Sequence, residues 1–206
     1  MSNFGDEGAR PAGLQLVFRR HPETGLAAEG RLRWGLIPNY ADRRPDLQPI
    51  HARAETISEK RMFRDAYRKR RCIVPMNSFF QKDATGKRYA ISRHDGEVFG
   101  VAGIWENWCD PLTSLWDRTF AVITVPANEL VAPIHDRMLA ILPNDQFPRW
   151  LSDEEISMTC WCRSRRSTWS SLRNASGDRS RGSRQLELTV LIQYNLNYNN
   201  PNYVVA

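Results

Sequence analysis

From Leu14 to Trp150 the apolar residues fall in short runs, each about one strand long and each closed off by Gly, Pro, Asn or Asp. That punctuation leaves little room for long helices and points to a sheet-rich chain. Leu14-Gln15-Leu16-Val17-Phe18 and Gly30-Arg31-Leu32-Arg33-Trp34 flank a turn at Thr24 and Gly25, which predicts a hairpin. Cys72-Ile73-Val74-Pro75, Arg88-Tyr89-Ala90-Ile91 and the run from Val98 to Trp105 read as further strands, the last two separated by the turn dipeptide Asp95-Gly96. Thr119 to Val125 is apolar and rich in β-branched residues, and reads as a central strand.

Helical spacing is rarer. Glu59 to Lys69 carries Met62, Phe63, Ala66 and Tyr67 three and four residues apart, which predicts a helix with an apolar stripe and a cationic face. A second, short helix is expected from Asn144 or Asp145 to Leu151, with Phe147, Trp150 and Leu151 toward the core. The fold class that follows is α+β: a single sheet-dominated domain over residues 14–155, built of twisted antiparallel strands with few short helices. At 206 residues, 41% hydrophobic and 25% charged, such a domain needs no disulfide or metal to hold it together.

The net charge of +6 suggests a nucleic-acid partner only until it is divided along the chain. Residues 1–155 hold 22 Lys and Arg against 21 Asp and Glu, whereas residues 156–206 hold 7 against 2. The excess belongs to the end of the chain. There an Arg/Ser-rich stretch, Cys160 to Arg184, is followed by Asn and Tyr crowded between Gln193 and Asn202, with little apolar periodicity. Residues 156–206 are therefore expected to be a disordered tail. Cys72, Cys109, Cys160 and Cys162 form no Cys-x-x-Cys, and no His stands at ligand spacing from them, so neither a metal nor another cofactor is expected. Without a long apolar run or a secretory start at Met1, a cytoplasmic monomer with no membrane partner is expected.

Two histidines stand among charges, in Ile50-His51-Ala52-Arg53-Ala54-Glu55 and Pro133-Ile134-His135-Asp136-Arg137. A carboxylate can orient an imidazole for proton transfer while an arginine holds an anionic substrate. A turn-stabilising surface histidine accounts equally well for either motif alone. The densest cations are Lys60, Arg61, Arg64, Arg68, Lys69, Arg70 and Arg71, a face suited to phosphates or simply to water. Trp34, Trp105 and Trp108 are suited to stacking on unpaired bases, although Trp105 reads better as core.

Taken together, Trp34-Gly35-Leu36-Ile37-Pro38, His51-Ala52-Arg53-Ala54-Glu55-Thr56, the stretch from Phe63 to Pro75 and Ile134-His135-Asp136-Arg137-Met138 resemble, in order and spacing, the SRAP family of SOS response-associated peptidases, or abasic site processing proteins. The resemblance implies an SRAP-type domain with a basic groove for single-stranded DNA carrying abasic sites, acting in the DNA-damage response near the nucleoid. It also implies a peptidase-type hydrolase: self-cleavage exposes an N-terminal cysteine whose amine and thiol close a thiazolidine with the abasic aldehyde, a covalent link with lyase-like chemistry.

Carried over position by position, His135 matches the family histidine that shuttles protons, His51 stands where the family has asparagine, and Gln81, in Ser78-Phe79-Phe80-Gln81, stands where it has glutamate. Trp34, Arg53, Arg61 and Arg137 take the DNA-binding positions. Ser2 lies too close to Trp34 to match the cysteine, so the first strand and the nucleophile are expected to be missing and this copy to be deficient in crosslinking. A two-base shift across Ile156 to Trp169 would read LHDLLVPFPSEHM, the kind of segment the family carries there, so a frameshift is expected behind the change in composition. The alternatives are a non-covalent single-stranded DNA-binding module and a non-functional remnant.

Overall fold

A computed structural model describes residues 11–93, 95–156 and 169–173. The expected hairpin is present: β1 (Leu14–Arg20) pairs antiparallel with β2 (Ala27–Trp34), from Leu14 opposite Arg33 to Arg20 opposite Ala27. β1 also lies beside β4 (Arg71–Met76), β4 beside β7 (Phe99–Cys109), and β7 beside β8 (Trp116–Pro126). β8 returns to β2 in parallel, Arg33 opposite Thr119 and Trp34 opposite Phe120. The five strands therefore form a closed, barrel-like circuit, joined most briefly where β1 meets β4 and β2 meets β8, two residue pairs each.

Three short strands extend it: β3 (His51–Arg53) runs parallel to β8, β9 (Arg137–Leu139) pairs antiparallel with β8, and β10 (Ile141–Leu142) with β7. β8 is thus the central strand that its β-branched run predicts. The two parallel pairings are not legible in that run, because both depend on where distant segments return.

Every residue of β4 is buried, and Val17, Phe18, Ile73, Val101, Phe120 and Val122 form the fully enclosed centre of the core. Helix α1 (Arg61–Lys69) seats Phe63, Ala66 and Tyr67 against β4 and β7. It begins two residues later than expected, since Lys60 is extended and its N–H bonds back to Thr56 in a turn. Asn144–Gln146 form one turn of 3₁₀ helix leading into α2 (Phe147–Leu151), whose Trp150 donates from Nε1 to the Cys72 carbonyl, 2.8 Å away. Gly100 makes that docking possible: a Cβ there would stand 2.7 Å from Phe147 and 2.8 Å from Ile73.

A second sheet holds β5 (Ser78–Lys82), β6 (Arg88–Arg93) and β11 (Trp169–Arg173). The Asp95-Gly96 turn therefore does not join a hairpin, because β6 pairs with β5 and β11 while β7 belongs to the barrel. Most of the expected tail lies outside the described residues. Within them, Ile156 is buried and β11 occupies the edge of β6, so these two pieces stand with the domain.

Two groups of residues differ from their sequence reading. Trp108 is buried with its Nε1 on the Ala41 carbonyl and offers no face to a base, while Trp105 is core, as its sequence reading preferred. Of the seven clustered cations, Arg71 turns inward, donating to the carbonyls of Trp150, Ser152 and Glu154, and Arg70 pairs with buried Glu106 at 2.7 Å. Both follow the end of α1, where the chain enters the barrel wall.

Candidate functional site

Gly35 ends β2 with φ +137°, a conformation costly for any residue with a Cβ, and its N–H bonds to the Phe120 carbonyl. From that bend residues 36–50 travel over the barrel rim and return as β3. Just before the bend, Trp34 stacks on Phe120 with centroids 6.0 Å apart and donates from Nε1 to the Ile50 carbonyl at 2.9 Å. Its edge meets the His51 ring at 6.3 Å. In β3 Ala52 is buried while His51 and Arg53 are exposed, as the two-residue alternation of a strand requires.

The opposite wall is the loop of residues 127–136. Asn128 Oδ1 accepts the N–H groups of Leu130 and Val131, and Ala127 N–H bonds to the Asp136 carbonyl, so the loop closes on itself. His135 emerges from it with Nδ1 accepting the Arg137 N–H at 2.9 Å. In the neutral ring the proton therefore sits on Nε2. Protonation of Nδ1 would instead turn it toward Asp136 Oδ1, 3.0 Å away.

Arg137 joins the walls. Its two Nη atoms meet the Glu55 carboxylate at 2.6 and 2.9 Å, and Nη2 also donates to the Thr124 carbonyl at 2.7 Å. Gln81 Nε2 donates to the Arg137 carbonyl at 3.1 Å. The guanidinium holds the Glu55 carboxyl below its usual range. His51, though exposed at the strand surface, is pushed below the usual imidazole value, chiefly by partial desolvation of its ring and secondarily by the nearby charge of His135.

Five of the residues singled out in the sequence, His51, Arg53, Gln81, His135 and Arg137, thus gather on one rim, with Trp34 beneath His51. Arg61 does not join them: at the start of α1 it lies over the Tyr40 ring, 4.2 Å from the centroid. Sequence reasoning gave Thr124 no role and offered Glu55 only as a carboxylate to orient the histidine of its motif, whereas its partner is Arg137. Glu55 is the one carboxylate of its motif, and the need of Arg137 for a counter-ion is the signal that could have found it. Beside Glu55 opens a cleft of about 980 Å³, lined also by Ser58, Tyr67, Arg68, Pro126 and Ile156.

Chemically the rim combines an imidazole held neutral, a second with its proton outward, and the cation of Arg53, which enters no ion pair among the described residues. Such a set suits proton transfer on an anionic substrate. The family model described as SOS response associated peptidase (SRAP) matches residues 10–170, a span that runs past Glu155 into β11. This chain belongs to the SRAP family.

Among its relatives, the abasic site processing protein YoqW of Bacillus subtilis is 40% identical over 128 residues, covering 60% of this chain and 57% of YoqW. The abasic site processing protein HMCES of Gallus gallus is 27% identical over 182 residues, covering 73% of this chain and 54% of its own. The chain therefore spans a little over half the length of these curated relatives. A crystal structure of a protein from Bacteroides thetaiotaomicron superposes with a TM-score of 0.71 at 27% identity, over 79% of this chain and 74% of the other.

Proposed function

We propose that this chain binds single-stranded DNA and acts on abasic sites within it as part of a DNA-damage response, a cytoplasmic monomer working at the nucleoid. The observation that carries the reading is the convergence of His51, Arg53, His135 and Arg137 on one rim, in a chain whose relatives are named abasic site processing proteins. Arg53 holds a backbone phosphate beside the missing base. The Nε2 proton of His135 is given to the sugar ring oxygen as the ring opens, and neutral His51 takes the proton released from the C1′ hydroxyl, which leaves the aldehyde. Gln81, fixed to the Arg137 carbonyl, orients the rim but transfers no proton.

The family's covalent step needs an amine and a thiol on one terminal residue. In this polypeptide Cys72 is wholly buried, and burial pushes its thiol far above the ordinary range, so it supplies no nucleophile. Cys109 lies on β7 opposite Trp116, at the far end of β8 from Thr124. Neither of the two thiols among the described residues can therefore make that link, and binding through this rim is non-covalent.

Incubation with an abasic single strand, boiling and denaturing electrophoresis test this: no shifted band is expected, and a band that survives boiling refutes the non-covalent step. A salt titration tests the groove. Affinity should fall steeply with salt, and Arg53→Ala should flatten that dependence. Affinity unchanged at high salt refutes a phosphate-binding rim.

A further inference from the structure

Toward the Arg118 end of β8 a buried cation, Arg19, stands without a counter-ion among the described residues. Strand register fixes which side chains meet there. Arg19 of β1 is opposite Cys72 of β4, Cys72 is opposite Gly103 of β7, and four residues along β7 Asn107 is opposite Arg118 of β8. Residues two apart on a strand share a face, so Arg19, Trp105, Asn107 and Arg118 all belong to one side of the barrel wall.

The Arg19 guanidinium lies over the Trp105 ring, 4.8 Å from its centroid, and the residue is only 7% exposed. Its Nε is buried with no hydrogen-bond partner, as is Asn107 Oδ1. Neither Arg19 nor Arg118 enters an ion pair among the described residues, and the acid next in sequence, Asp117, is already shared by Arg33 and Arg44 at 3.3 and 2.6 Å. Burial, and then the charge of Arg118, bear against the charged form of Arg19. A buried guanidinium beside a second cation is a standing uncompensated charge, which the Trp105 ring offsets only in part. Two residues further out on the same face of β8, Trp116 is 66% exposed.

We propose that this end of the barrel is a second binding site whose ligand is a phosphate group. The phosphate oxygens accept from the outer Nη atoms of Arg19 and from the guanidinium of exposed Arg118, in the charge-assisted geometry arginine favours. The site adjoins the rim on the same face of the wall without sharing its side chains: Arg118 is four residues along β8 from Val122, the strand partner of His51, about 13 Å. It stands or falls independently of the function proposed above. The phosphate belongs either to a nucleic-acid backbone, with Trp116 stacking on a neighbouring base, or to a free ion, and the two sources differ in the test.

The Arg19 Nε–Hε resonance, assigned through its own backbone in the full chain, is followed by NMR while inorganic phosphate and, separately, an oligothymidylate are added at constant ionic strength. Saturable movement is expected, and Arg118→Gln, at an exposed position, should weaken it about tenfold, one lost charge-assisted contact. Arg53→Ala should leave it unchanged. Saturation by the oligothymidylate at lower concentration than phosphate assigns the site to a nucleic-acid backbone; saturation by phosphate alone assigns it to the free ion. A resonance that moves with neither, or that moves identically in Arg118→Gln, overturns the proposal.

Discussion

Arg137 grips Glu55 with both arms of its guanidinium, Nη1 2.6 Å from Oε1 and Nη2 2.9 Å from Oε2. The same residue gives its backbone N–H to His135 Nδ1 and its carbonyl to Gln81 Nε2. One residue at the start of β9 therefore sets the tautomer of one histidine, anchors the β5 side chain and ties the loop after β3 to β8. Arg137 is better described as the residue that positions the rim than as a free cation waiting for DNA.

Replacing Arg137 by Lys keeps the charge and loses the fork, so the Glu55 carboxyl should titrate closer to its ordinary value. Its lowered value in the folded chain means that the pair adds stability above the ordinary glutamate pKa, and that this is lost as pH falls through the folded value. With Glu55 nearly half exposed, the contribution is screened to below about 1 kcal/mol. Carbon-detected titration of Glu55 in both proteins measures the shift; identical curves would show that the fork does not hold the carboxyl.

His51 should titrate below an ordinary histidine, and His135→Gln should raise it only part of the way, because desolvation of the ring is the larger cause. The unfolded chain takes up that proton first as pH falls. Stability should therefore decline between the ordinary imidazole pKa and the folded value, and level off below it. Proton NMR of the ring resonances provides the check, and a His51 that titrates above an ordinary histidine would contradict the assigned environment.

Arg71 fastens the chain after α2 through three carbonyls, at 2.8 Å from Nε to Trp150, 2.9 Å from Nη2 to Glu154, and to Ser152. Arg71→Met should cost about 3 kcal/mol, because the buried carbonyls lose a charged donor. Urea unfolding should show a lower midpoint with an unchanged slope. A midpoint equal to that of the parent chain would mean that the segment holds without Arg71.

Gly100→Ala places a methyl group against Phe147 and Ile73, both fully buried. Overpacking of this kind costs about 1–3 kcal/mol, and the α2 turn is the part that must move. Thermal unfolding and hydrogen exchange at the Trp150 indole N–H should report the loss together; a stable variant with faster indole exchange would place the relief at α2 alone.

The elements legible in the sequence are those whose signal is local. The β1–β2 hairpin carries its turn, β8 its β-branched run, and α1 its spaced Phe63, Ala66 and Tyr67. What stayed hidden depends on distant partners: the parallel return of β8 to β2, the assignment of β6 to a second sheet, and the inward turn of Arg71 at the end of a basic run. The site divides the same way. His51, Arg53, His135 and Arg137 stand in compact charged motifs, whereas the role of Glu55 appears only once β9 is laid beside β8 and Arg137 reaches across to it.

The proposed function requires the rim to recognise the missing base itself, over and above the charge of the strand. Fluorescence anisotropy with a labelled single strand holding one abasic site, against the same strand intact, measures this directly. The abasic strand should bind about tenfold tighter, roughly the free energy of one charge-assisted contact. His51→Gln with His135→Gln should remove that preference and leave the affinity for the intact strand as it was. Equal binding of the two strands by the parent chain, or a preference that survives in the double variant, would contradict the account.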